Sequence, residues 1–202
     1  MSVSLARAPR FRPAALVTAV VAVIALAGCS GAGSGAGGAG DFVSGGHGVD
    51  TVAVAARRAA PAIAGTDLSG RQTALSDYPG KVVVINIWGS WCTGCRAEAK
   101  GLEQVHQKYK DQDVQFLGIN TSDADVSNAR RFEETNGITY PSLYDPDGTQ
   151  LLKFPKGTFN PQTLPSTIVV DRQGRLAART MNVVSADTLE SMLAPVLAEA
   201  HS

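Results

Sequence analysis

The run Lys81-Val82-Val83-Val84-Ile85-Asn86-Ile87-Trp88 constrains the fold of this chain more than any other stretch. It is β-rich and apolar with almost no alternation, the pattern of a central strand buried on both faces. Four residues further on stands Cys92-Thr93-Gly94-Cys95, and residues 94–109 carry Leu102, Val105 and Tyr109 at helical spacing. The cysteine pair therefore falls where a core strand ends and a helix begins.

The rest of the chain continues the alternation. Leu68-Ser69-Gly70-Arg71 reads as a turn between two short strands, and Val114 to Asn120 as a second core strand. Residues 125–135 have helical character and stop at Asn136-Gly137. Ile168-Val169-Val170 is strand-like, Asp171-Arg172-Gln173-Gly174 is a hairpin turn into Leu176-Ala177-Ala178, and residues 186–199 form a closing amphipathic helix. This order predicts a three-layer α/β fold with a central mixed β-sheet flanked by helices.

The first 28 residues differ in kind. Arg7, Arg10 and Arg12 precede an apolar run from Ala14 to Ala27, too short for a spanning helix and typical of a secretory signal. It ends in Leu26-Ala27-Gly28-Cys29, which resembles the bacterial lipobox; the resemblance implies cleavage before Cys29 and acylation of its sulfur. Two or three acyl chains hold a protein stably on a bilayer, where one does not. Residues 30–40, SGAGSGAGGAG, have nothing to bury and predict a flexible tether. Asp41 to Arg58 is ambiguous, disordered or weakly helical, so the expected division is 1–28 signal, 29–59 lipidated tether and 60–202 folded domain. Cleavage removes three arginines and no acid, so 18 basic residues become 15 against 18 acidic, a net charge of −3. A nucleic-acid binder would show a basic excess instead.

Three chemistries compete for Cys92 and Cys95. A zinc site needs about four ligands. Only Cys29, His47, His106, His201 and scattered carboxylates are on offer, with no second Cys-x-x-Cys. A structural disulfide closing so short a loop removes little entropy from the unfolded chain. A redox pair gains from its position. Cys92 at a helix N-terminus is favoured as a thiolate, the attacking species in thiol–disulfide exchange. Cys95, one turn inside, would be shielded and would resolve the mixed disulfide. Trp88 and Trp91 would give the sulfurs apolar cover.

Val83 to Glu98, VVINIWGSWCTGCRAE, resembles the active-site segment of the thioredoxin superfamily. It is most similar to the extracytoplasmic thioredoxin-like family that includes TlpA, ResA and CcmG/DsbE. Thr66 to Gly70 through Leu75 to Lys81 resembles that family's N-terminal β-hairpin. Asp125 to Asp145 resembles its central αβ insertion, and Leu164-Pro165-Ser166-Thr167 its cis-proline strand. The resemblance spans about residues 60–199.

It implies that Pro165 is cis, packs against the disulfide and presents backbone to substrate. It implies that Glu98 is a buried acid moving protons to and from Cys95. Asn86 stands where cytoplasmic thioredoxins carry a buried aspartate. Gly94 stands where many relatives have proline, and is expected to supply an extra N–H close to the Cys92 sulfur. Lys100 replaces a helix-kinking proline, and residues 153–163 (KFPKGTFNPQT) add length before Pro165.

The implied activity is a membrane-anchored thiol–disulfide oxidoreductase with no cofactor beyond the dithiol. Its implied partners are extracytoplasmic protein disulfides such as those of apocytochrome c, and a membrane electron donor of the CcdA/DsbD type. Oxidation of secreted-protein thiols by the same site is the alternative direction. A thiol peroxidase of peroxiredoxin type is a further alternative, since the N-terminal hairpin also resembles peroxiredoxins; it is weakened because the cysteine stands in Trp-Cys-x-x-Cys, without the threonine and proline that peroxide reduction uses. A copper carrier would need a wider cysteine spacing and a later histidine.

Overall fold

The computed structural model describes residues 42–199. The signal segment 1–28, Cys29 and the stretch 30–40 lie outside the described residues. The strands are β1 (Val43–Ser44), β2 (Val49–Thr51), β3 (Ala64–Thr66), β4 (Gln72–Ala74), β5 (Val82–Trp88), β6 (Val114–Thr121), β7 (Ser142–Asp145), β8 (Ser166–Val170) and β9 (Leu176–Thr180). The helices are α1 (Thr93–Tyr109), α2 (Val126–Asn136) and α3 (Ala186–Leu197). Among the described residues no helix is long and apolar enough to cross a membrane.

The order in the main sheet is β1-β2-β9-β8-β5-β6-β7, with β3-β4 a separate hairpin. Strand β5 lies at its heart and every residue of it is buried. It runs parallel to β6, with Ile85 opposite Leu117, and antiparallel to β8, with Ile85 opposite Ile168. The sheet is therefore mixed, as the element order predicts.

Alternation along β5 divides the core. Val82 and Val84 face Leu102 and Val105 of α1 and Leu189, Met192 and Leu193 of α3. Trp88, on the same face, packs with Ala99 of α1 and with Ala129 and Phe132 of α2. Val83, Ile85 and Ile87 face the other way, onto Ile63, Leu151 and Phe154. The helices thus gather on one face. The third layer is the β3–β4 hairpin and short 3-10 turns rather than α-helix.

The folded region begins before residue 60. Strand β2 pairs antiparallel with β9, Asp50 opposite Arg179, and β1 pairs with β2. Arg57 is bound to Asp171 at 3.0 Å and to Glu199 at 2.6 Å, and its side chain is 6% exposed. Residues 43–58, read as tether from composition, form one flank of the sheet.

Two turns share a device. Asp67 accepts the backbone N–H groups of Ser69 and Arg71 at 2.9 Å, and Asp171 accepts those of Gln173 at 3.0 Å and Arg175 at 2.9 Å. Each turn needs glycine at its fourth position, where φ is +89° at Gly70 and +72° at Gly174. The buried Asp171 carboxylate also draws in Arg57 and Arg175, so this turn joins the N-terminal segment to the sheet.

Candidate functional site

Strand β5 ends at Trp88, and a turn closed by Cys92 N–H to Gly89 O at 3.1 Å leads into α1. Gly89 is required there. A Cβ would lie 2.7 Å from Trp91 Nε1, so the indole rests on its backbone. Ser90 is held by Asp123, whose carboxylate accepts from its N–H at 2.8 Å and from its hydroxyl. Cys92 is the N-cap of α1, and its sulfur accepts the N–H of Cys95 at 3.1 Å. Cys92 and Cys95 are joined as a disulfide, with Cα atoms 5.3 Å apart.

The exposure differs from expectation. In this oxidised state Cys92 is 5% exposed and Cys95 2%, so the expected nucleophile is nearly as covered as the expected resolver. Trp88 and Phe132 stack at 4.5 Å beside both cysteines. Trp91 is 53% exposed and faces solvent rather than capping the pair. Thr93 is also exposed. The N–H that reaches Cys92 Sγ is that of Cys95, not of Gly94, so the extra donor expected at Gly94 is not the one the sulfur uses.

Gly94 does something else. A Cβ there would meet Pro165 Cδ at 2.9 Å and Val183 Cγ2 at 3.0 Å. Its bare Cα lets the helix start pass close under Pro165. The Leu164–Pro165 peptide is cis, Pro165 is buried, and Leu164 packs beside the cluster holding the cysteines. Val183, 51% exposed, was not evident as a site residue, since it lies in a loop with no motif. With Trp91 it leaves an apolar rim around the pair.

Behind the disulfide, Glu98 is 2% exposed. Its Oε1 accepts from Asn86 Nδ2 at 2.8 Å and its Oε2 from the N–H of Val184 at 2.9 Å. Asn86 Nδ2 also reaches Thr167 Oγ1 at 3.2 Å. Burial pushes the Glu98 carboxyl up to about 7, against the opposing pull of these hydrogen bonds. Near neutral pH such a group both accepts and returns protons. The Val184 and Thr167 contributions come from distant segments and leave no local trace in the sequence.

Lys100 is exposed on an unbroken α1. Residues 153–163 fold onto the far side of the sheet, where Phe154 meets Phe159 edge-on at 5.3 Å. Arg179 donates to the carbonyls of Gly157 and, at 2.7 Å, Thr158. Among the described residues no three His, Cys, Asp or Glu side chains come together as a metal cage. What the start of α1 does bring together is a disulfide, a buried acid and a cis-proline, the parts of thiol–disulfide exchange.

Comparison with known proteins agrees. Residues 56–179 match the model of the AhpC/TSA family. The chain is 31% identical over 144 residues to the thiol-disulfide oxidoreductase ResA of Geobacillus kaustophilus, covering 71% of this chain and 79% of that protein. The crystal structure of a DsbF homologue from Corynebacterium diphtheriae superposes with a TM-score of 0.70 at 35% identity, covering 78% of this chain and 99% of that one. A secreted thiol-disulfide isomerase from Corynebacterium glutamicum gives 0.72 at 32% identity, covering 80% and 100%. The chain is a thioredoxin-like thiol–disulfide oxidoreductase and belongs to the AhpC/TSA family.

Proposed function

We propose that the protein works chiefly as a reductase of extracytoplasmic protein disulfides, including those of apocytochrome c before haem attachment, held at the membrane by acylated Cys29. The observation that carries the exchange chemistry, in either direction, is Glu98 buried on α1 one turn after Cys95 with a carboxyl pushed up to about 7. In reduction the buried resolving thiol must lose a proton, and in oxidation it must regain one. In the reduced enzyme the Cys92 thiolate attacks a substrate disulfide, forms a mixed disulfide and expels one substrate thiolate, which takes a proton from water. Cys95 passes its proton to Glu98 and attacks Cys92 Sγ. The second substrate sulfur leaves as a thiolate, and Cys92–Cys95 closes. Two electrons have moved from dithiol to substrate, and a membrane donor of the CcdA/DsbD type restores the dithiol. Pro165 and Leu164 offer backbone to the substrate, Trp91, Thr93 and Gly94 shape its approach, and Trp88 packs behind the sulfurs.

The reductive direction draws on the likeness to ResA proteins. The opposite direction, oxidation or isomerisation of secreted-protein thiols, draws on the likeness to the DsbF homologue and the secreted isomerase. Equilibration with glutathione decides between them, alongside reduction of a disulfide-bonded Cys-x-x-Cys-His peptide, the haem-attachment motif. A potential well below that of the glutathione pool with rapid peptide reduction supports the reductase. A potential above it, with rapid oxidation of reduced unfolded protein, overturns it.

A further inference from the structure

Between the start of α1 and α2 lies a cleft of about 310 Å³ whose lining includes Ser90, Arg96, Asn128, Arg131, Phe132 and Asn136. Phe132 is one wall and stacks on Trp88, which packs against both cysteines, so these two rings separate the cleft from the sulfurs, while Ser90 and Arg96 tie it to the chain on either side of the pair. Arg96 follows Cys95 directly, and its Nη2 donates to Ser90 O at 2.6 Å. Arg131 donates to Ser127 Oγ and Asn128 Oδ1 on its own helix. Both guanidiniums are exposed, and each has further N–H groups beyond these bonds. Among the described residues neither is ion-paired to a carboxylate. Of the nearby acids, Asp123 is buried and engaged by Ser90 and Asn120, and Asp125 caps α2 at Ser127 while only its field reaches Arg131.

We propose that this cleft reads a carboxylate on the polypeptide whose cysteines are being exchanged. The inference rests on the oxidoreductase activity, in either direction. That reaction lays a polypeptide across the disulfide, and the anions a polypeptide brings are aspartate and glutamate. Guanidinium forks suit planar carboxylates. Two exposed cations without carboxylate partners near the start of α1 form a local attraction for an acidic segment.

The test uses the whole protein and two disulfide-bonded peptides that differ only in an Asp or Asn flanking one cysteine. The Asp peptide should be exchanged about two- to five-fold faster, the range of exposed ion pairs. The preference should fall towards one in Arg131→Gln, which is remote from the sulfurs, and in Arg96→Gln. It should also fall in about 1 M salt, where the screening length is roughly 3 Å. Taking the ratio of two peptides cancels any general slowing of the chemistry. Equal rates in the parent protein, or a preference that survives both substitutions and salt, would overturn the cleft. Failure to exchange either peptide would instead overturn the oxidoreductase activity and the cleft with it.

Discussion

Asn86 Nδ2 on β5 donates to Glu98 Oε1 on α1 at 2.8 Å, and the same nitrogen reaches Thr167 Oγ1 on β8 at 3.2 Å. An amide in this place serves both charge states of Glu98. Towards the carboxylate it presents its nitrogen. Towards a protonated carboxyl it can turn its oxygen, while the Thr167 hydroxyl rotates to donate. The pair therefore gives the buried acid a hydrogen-bond partner in either charge state, as the proton-transfer role proposed for Glu98 requires.

Glu98→Gln tests this directly. In the folded protein the carboxyl is raised to about 7 from 4.5, so its contribution to stability is full below pH 4.5 and is lost as pH rises through 7. Glu133, raised to about 7 chiefly by its own burial, acts in the same sense. Each accounts for about 3 kcal/mol across that window. Urea unfolding of the oxidised protein at pH 5 and pH 8 should show a stability difference smaller by about that amount in Glu98→Gln. The pH profile of Cys95 alkylation in the reduced protein should move as well. An unchanged difference and an unchanged profile would make Glu98 a bystander.

Strand β5, the helix behind it and the capping cysteine are legible because each is local. A seven-residue apolar run, helical spacing and a Cys-x-x-Cys junction are written in consecutive residues. Glu98 stood out only through family resemblance, since nothing in its neighbours' sequence reports burial. Strands β1 and β2 were missed for a physical reason. Val49 to Thr51 gains its order from β9, far along the chain, and is only three residues long, two of them polar, directly after Gly48. Asp171 reads as a turn former, yet it is also the buried anion that ties Arg57 to the sheet. The role of Gly94 was misjudged because chain position alone does not say which amide points at a sulfur.

Asn86→Asp should be costly in a defined pH range. A second carboxyl 2.8 Å from Glu98 cannot ionise alongside it, so the pair would share a proton. The substitution should be milder at pH 4, where the unfolded chain ionises the two carboxyls only in part. It should lower the unfolding midpoint progressively towards pH 8, where the unfolded chain ionises both. Thermal melts across that range check this, and equal melting shifts at pH 4 and pH 8 would contradict it.

Gly94→Pro should leave the Cys92 thiol almost unmoved, by less than about one pKa unit. The N–H that supports its sulfur belongs to Cys95, and a proline near a helix start loses only an unpaired donor. The ring must instead fit against Pro165 and Val183, where even a Cβ comes within 2.9 Å and 3.0 Å. Val183 is exposed and can yield, whereas Pro165 is buried. The expected result is slower exchange with protein disulfides than with a small neutral disulfide, at similar thiol reactivity. Iodoacetamide titration with paired rate measurements separates the two effects. A rise of two units or more in the Cys92 value would mean that the Gly94 N–H matters after all.

The last expectation concerns where the folded unit begins. Arg57 is 6% exposed and bridges Asp171, 1% exposed, to Glu199 near the end of α3. Removing one partner of a buried pair costs about 3–5 kcal/mol, because the remaining charge stays buried. Asp171 keeps Arg175 at 2.9 Å, which places Arg57→Met at the lower end, about 3 kcal/mol. A chain beginning at residue 60 loses this bridge and also uncovers the edge of β9, to which β2 is hydrogen-bonded. An open strand edge invites association between chains. Both proteins should therefore unfold at lower denaturant than the parent, and the shortened one should also self-associate, as read by sedimentation. If the shortened chain is as stable and as monomeric as the parent, residues 43–58 are an appendage to the domain after all.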